Sequence, residues 1–150
     1  MITQLGYNRL IQNLQDLNQE LARTSEERGK AAAEGDLKEN SAYIFLGERA
    51  EVLRSQIRTV SDDIKLSVIT PLPTQTKKIE FGHLIKLKFL TSLTDMTITL
   101  VGKNDASLKP DWISVESPLG IALLRHSVGD KVTVNDQLVE IQDITIGSIV

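Results

Sequence analysis

Glu34-Gly35-Asp36-Leu37-Lys38-Glu39-Asn40 interrupts two runs of regularly spaced apolar residues, one on each side, and neither run continues through it. Before it, apolar or small side chains recur at Tyr7, Leu10, Leu14, Leu17 and Leu21, then more weakly at Thr24, Arg28 and Ala31. Alternating steps of three and four are the seam of a coiled coil. Tyr43, Leu46, Ala50, Leu53, Ile57, Val60 and Ile64 repeat the pattern on the other side. Laid antiparallel, the seams match position for position. Leu10 faces Ile64, Leu14 Val60, Leu17 Ile57, Leu21 Leu53, Thr24 Ala50, Arg28 Leu46 and Ala31 Tyr43, and every pair folds about Leu37. The pattern predicts a helical hairpin with the quoted stretch at its tip. Roughly 28 residues per arm at about 1.5 Å each give a shaft on the order of 40 Å.

Thr3 is placed to cap the first helix, which the pattern carries to about Ala33. The outer half of that helix is the weaker one, because its apolar stripe fades after Leu21 and Gly29 costs about 1 kcal/mol relative to Ala. The second helix extends to about Leu66 and contains Gly47. Asp36 followed three residues later by Glu39 matches a helix-capping signal, and this is the plain reading of that pair by itself.

Pro71-Leu72-Pro73-Thr74-Gln75-Thr76 breaks the helical pattern, which predicts a hairpin over residues 1–70, a linker over 71–76 and a globular domain over 77–150. Beyond it the apolar period becomes two. Ile85, Leu87 and Phe89 alternate with Leu84, Lys86 and Lys88, while Met96, Ile98 and Leu100 alternate with threonines, so a strand hairpin turns through Thr91 to Asp95. Trp112 to Val115 reads as a further strand, and Ser117-Pro118 opens a short helix to Leu124 with Ser117 as cap. Gly129-Asp130 is a turn, after which Lys131 to Val134 and Leu138 to Ile144 pair across Asn135-Asp136-Gln137. The expected class is α+β: an antiparallel coiled-coil hairpin followed by a small antiparallel sheet carrying one short helix.

Composition narrows the chemistry. Net charge is −3, with 9 Lys and Arg against 11 Asp and Glu in residues 1–70, and 8 against 9 in residues 71–150. Neither half carries the concentrated positive charge of an autonomous nucleic-acid binder. Absence of Cys excludes disulfides, thiolate metal sites and a cysteine nucleophile. The N-terminus lacks a basic segment followed by an apolar run, and no apolar stretch approaches the length of a membrane span, so a soluble cytoplasmic protein is expected. His83 and His126 have no neighbours suggesting a triad or a zinc site and are expected at the surface or its boundary. No Gly-rich phosphate loop or paired-histidine motif is present. An enzyme complete in itself is not expected. At the tip, Asp36 and Glu39 offer two hard carboxylates on one helical face, half of a magnesium shell that a partner must complete.

Gly35-Asp36-Leu37-Lys38-Glu39-Asn40, with Tyr43 following, resembles the tip motif of the bacterial Gre transcript cleavage factors. The likeness extends through the heptad hairpin, the Pro-containing linker, and Trp112 to Leu124 followed by Gly129-Asp130. It implies an FKBP-like second domain docking at the rim of the secondary channel of bacterial RNA polymerase, and a hairpin entering that channel. It further implies that Asp36 and Glu39 act on the nascent RNA 3′ end by helping retain magnesium in the polymerase active centre, so that the polymerase cuts its own backtracked transcript. Gly35, Leu37, Lys38, Asn40 and Tyr43 then support the tip, and Lys30 and Arg49 contact RNA. The implied magnesium is shared with polymerase and not bound by the isolated protein, which is expected as a monomer without membrane contact. This chain departs from the usual motif in having Ala42 where an acidic residue precedes the tip tyrosine, and an apolar Ile44-Phe45-Leu46-Gly47. Two other readings stand beside the first: a regulator of the same fold that occupies the channel with weak cleavage activity, and a coiled-coil interaction protein with a prolyl-isomerase-like domain.

Overall fold

Elements follow the expected order in the computed structural model, which describes residues 1–35 and 39–149. They are α1 (Gln4–Ala33), α2 (Ser41–Leu66), β1 (His83–Phe89), β2 (Thr94–Val101), β3 (Trp112–Ser114), α3 (Pro118–Leu123), β4 (Lys131–Val134) and β5 (Gln137–Ile146). Contacts divide the chain into two units, Asn8–Ser67 and a second in which Met1–Tyr7 joins the chain from Val68 onward.

In the first unit the solvent-shielded positions repeat the predicted seam: Leu10, Leu14, Leu17, Leu21, Thr24, Arg28 and Ala31 on α1, and Tyr43, Leu46, Ala50, Leu53, Ile57, Val60 and Ile64 on α2. Contacts climb α1 as they descend α2. Leu17 lines a notch with Ser55, Gln56, Thr59 and Val60, Glu20 pairs with Arg49, Arg28 stacks on Tyr43, and Asn40 bonds to Ala31. The helices are therefore antiparallel, as expected.

The second unit is built on a five-stranded sheet in the order β3-β2-β1-β5-β4. Central β1 pairs antiparallel with β2 and β5, and its alternation puts Ile85 and Leu87 inward while Lys86 faces solvent. The antiparallel expectation needs one correction. β3 runs parallel to β2, because residues 102–111 form a return connection longer than a hairpin turn, which a parallel neighbour requires. Met96, expected on the buried face, is 41% exposed, since only the second half of β2, from Ile98 to Val101, reaches the core. β4 and β5 are joined by Asn135 and Asp136 alone, at φ 48° and 63°, the left-handed values that match strand twist in a two-residue hairpin. Ile85, Leu87, Leu100, Trp112, Leu123 and Ile141 lie at the heart of the core.

Two segments expected elsewhere belong to this unit. Residues 71–76 are strapped onto the sheet: Leu72 and Pro73 close over Gly82, where a Cβ would lie 2.9 Å from Pro73 Cδ and where φ is +90°, favouring glycine. The boundary thus falls at Ser67/Val68 and again at Tyr7/Asn8. His83, expected at the surface or its boundary, is 0% exposed. Its Nδ1 accepts the Glu80 N–H at 2.9 Å and its Nε2 meets the Gln75 carbonyl at 2.8 Å, so the ring ties the strap to the backbone just ahead of β1.

The N-terminal segment is held by a buried carboxylate. Ile2 is buried and bridges to Ile69, its N–H donating to the Val68 carbonyl and its carbonyl accepting from Thr70, each at 3.0 Å. Asp105, 0% exposed, accepts from Thr3 Oγ1 at 2.6 Å, Thr3 N–H at 3.0 Å and Gly102 N–H at 3.2 Å. Thr3 also caps α1 as expected, its Oγ1 accepting the Gly6 N–H at 2.9 Å.

Candidate functional site

α1 ends and α2 begins around one side chain. Asn40, with extended backbone, accepts the Tyr43 N–H on Oδ1 at 3.1 Å and donates from Nδ2 to the Ala31 carbonyl at 2.6 Å. One amide thus satisfies a free donor of α2 and gives a second bond to a terminal carbonyl of α1 that also accepts the Glu34 N–H at 3.2 Å. Asp36, Leu37 and Lys38 lie outside the described residues. Gly35 and Glu39 are exposed, and among the described residues the Glu39 carboxylate has no partner.

This arrangement corrects the capping reading of the acidic pair. The N-cap of α2 is Asn40, so Glu39 precedes the helix and takes no part in its cap. The competing signal was present in the sequence, since Asn is a preferred cap and Tyr43, the first seam residue of α2, follows three positions later. Tyr43 lies under the Arg28 guanidinium, 4.3 Å from ring centroid to Cζ. Arg28 also rests against Gly47, and its Nε is shut off from solvent with no partner among the described residues. The heptad pattern had given Arg28 only a place in the seam.

Both cations expected to contact RNA are engaged within the hairpin. Lys30 Nζ lies 2.9 Å from Glu26 Oε1, and Arg49 pairs with Glu20. The Lys30 hydrogen bond and charge hold the Glu26 carboxyl below its ordinary value, while Glu26 raises Lys30 in turn. Both pairs are exposed, so water and salt screen them and a phosphate can compete. Ile44 and Phe45 are 47% and 65% exposed, leaving an apolar surface at the start of α2.

His126 is half-buried and faces Asp130 at 3.2 Å in a loop where Asp130 also accepts the Ser127 N–H at 2.8 Å. That is a turn staple. Among the described residues no three His, Cys, Asp or Glu side chains gather as a metal site, and no helix is long and apolar enough to cross a membrane. The free Glu39 carboxylate is a hard oxygen donor of the kind magnesium takes, yet one donor leaves most of an octahedral shell to be supplied by others.

The family model described as "Transcription elongation factor, N-terminal" matches residues 1–69, and the one described as "Transcription elongation factor, GreA/GreB, C-term" matches residues 74–148. The chain belongs to the GreA/GreB family of transcription elongation factors. Transcription elongation factor GreA 1 of Lactiplantibacillus plantarum is 33% identical over 134 residues, covering 89% of this chain and 85% of that protein. GreA of Maridesulfovibrio salexigens is 32% identical over 135 residues, covering 89% and 84%. Among solved structures, the GreA factor homolog 1 of Thermus thermophilus aligns over 96% of this chain and 97% of its own, at 23% identity and a TM-score of 0.44.

Proposed function

We propose that this chain stimulates the RNA-cleaving activity of bacterial RNA polymerase, its hairpin entering the secondary channel so that Asp36 and Glu39 reach the active centre. The observation that carries the reading is the position of Glu39: Asn40 performs the cap, and Glu39 is left exposed, its carboxylate without a partner among the described residues. Asp36 and Glu39 would hold magnesium jointly with polymerase carboxylates and the phosphates of the nascent RNA. Bound there, the ion supplies two-metal hydrolysis, in which attacking and leaving oxygens are both stabilised. The chain's own carboxylates attract the cation and orient the water they bond, while the polymerase performs the cut, so this protein is not itself the enzyme.

A second reading, a channel-occupying regulator with weak cleavage, draws on the pairing of Lys30 with Glu26 and Arg49 with Glu20, which leaves less positive charge for RNA. One experiment separates the two. A backtracked elongation complex is followed for RNA shortening across a magnesium titration, with the wild-type protein, Asp36→Asn and Glu39→Gln. Each variant should lower stimulated cleavage on the order of 100-fold at low magnesium, with partial recovery as magnesium rises. Asn40 remains as the cap, so folding stability should move by less than about 1 kcal/mol. Wild-type protein that binds without shortening the RNA would favour the regulator, and undiminished cleavage by both variants would sink the carboxylate mechanism.

A further inference from the structure

Arg28 occupies a seam position to which heptad spacing assigns an apolar residue. Its side chain crosses α2 at Gly47, where a Cβ would come within 3.0 Å of Nη2 and 3.2 Å of Nε, and its guanidinium stacks on Tyr43. No described carboxylate pairs with it, and the shielded Nε has no partner among the described residues. A seam built for stability alone avoids such an unsatisfied donor, so its presence asks for another explanation. A planar guanidinium on an aromatic face is a strong and directional contact. The Tyr43 that it holds is the residue whose N–H bonds Asn40, and Asn40 is the residue that bonds Ala31. Contacts therefore run without a break from Gly47 through Arg28, Tyr43 and Asn40 to the end of α1, and Glu39 immediately precedes Asn40 in the chain.

We propose that Arg28 is a positioning residue for Glu39: by seating the first turn of α2 against α1, it fixes the backbone from which the carboxylate projects. This rests on the reading of Glu39 as a working carboxylate. Sequence reasoning could not separate Arg28 from an ordinary polar seam residue, because the role depends on the absent side chain at Gly47.

Two substitutions attack the contact from opposite sides. Arg28→Ala removes the guanidinium, and Gly47→Leu fills its space while adding a better helix former. Gly29→Ala is the control, since it adds the same kind of helix propensity where nothing lies within 4 Å. In the full chain, hydrogen exchange at the Tyr43 amide should quicken by about tenfold in Arg28→Ala and Gly47→Leu, with Leu53 unchanged. Stimulated cleavage at saturating protein should fall by about tenfold at an unchanged half-saturating concentration. Arg28→Lys, which keeps the cation without the plane, should recover part of both, and Gly29→Ala should move neither. Unchanged Tyr43 exchange in both variants overturns the clamp, whatever the activity. Faster exchange with full stimulation overturns the positioning role. A wild-type protein that stimulates no cleavage overturns Glu39 as the thing positioned, while the exchange arm still reads whether the clamp exists.

Discussion

The sheet unit buries whole polar side chains and bonds them, whereas the hairpin holds a half-buried arginine with one nitrogen shielded. Asp105 and His83 are each 0% exposed; Asp105 accepts from three donors, and both ring nitrogens of His83 are bonded. Arg28, by contrast, keeps a shielded Nε without a described partner. Satisfied groups in a dry environment are strengthened by low dielectric and penalise any loosening. They close the sheet unit around two segments, the N-terminus and the strap over residues 71–76. An unsatisfied group contributes nothing of that kind. It stands one helical turn before Ala31, beside the residues that carry the tip, and the contrast separates polar groups kept for closure from one kept for placement.

Asp105→Ala tests the closure half and should have the largest effect. The substitution strands the Thr3 and Gly102 N–H groups and the Thr3 hydroxyl in a buried site, and each orphaned group costs about 1–3 kcal/mol, so a loss of about 4 kcal/mol is expected. Asp105→Asn should rescue little, because its NH2 group would face donors. Denaturant unfolding of the full chain, with hydrogen exchange at Ile2 and Leu53, would locate the loss in the sheet unit. A change under about 1 kcal/mol would remove the contrast.

That bond also marks where sequence reasoning stopped. Thr3 and Asp105 are 102 residues apart, and no periodicity links them. The hairpin was legible because a seam repeats locally, so its antiparallel pairing could be found by matching two short patterns. Ile85 and Leu87 were legible for the same reason at period two. The strap over residues 71–76 reads identically whether it hangs free or is fastened, and what decides is the positive φ of Gly82 and the bond of His83 to the Gln75 carbonyl. Three residues of β3 cannot disclose whether they run with or against β2. At the tip, Asp36 to Glu39 and Asn40 to Tyr43 offered competing caps. Asn40 prevails because an amide can accept from Tyr43 and donate to Ala31 at once, which a carboxylate cannot do.

Asn40→Ala sharpens the placement half and should have a moderate effect. It removes a cap and one cross-helix bond, for a loss of about 1 kcal/mol in hairpin stability. Asn40→Asp keeps the acceptor and loses the donor, so it should fall between the two in thermal unfolding. If Asn40→Asp matches the wild type, the bond to Ala31 contributes nothing and the path from Arg28 to α1 is broken at that point.

The contrast also needs a floor, a polar group that is bonded yet exposed, and Asp130 provides it. Its carboxylate accepts the Ser127 N–H at 2.8 Å and faces His126 at 3.2 Å. The backbone bond first, and His126 second, hold its carboxyl below the ordinary carboxylate range. A folded-state value depressed in this way means that the carboxylate form is favoured by folding. The resulting stability is present above the unfolded value of about 4 and is lost as pH falls through the folded one. Asp130→Asn keeps an acceptor for Ser127 but cannot ionise. At neutral pH the variant should therefore be slightly less stable than wild type, by the smallest margin of the three substitutions, because water screens the site. Below the carboxylate range the gap should close, as the wild-type side chain becomes neutral too. Paired denaturation midpoints at neutral pH and at about pH 2.5 measure both ends of that window. A gap that persists undiminished in acid would show that shape and not charge sets the contribution of Asp130, and a gap as large as that of Asp105→Ala would show that burial does not rank these polar groups.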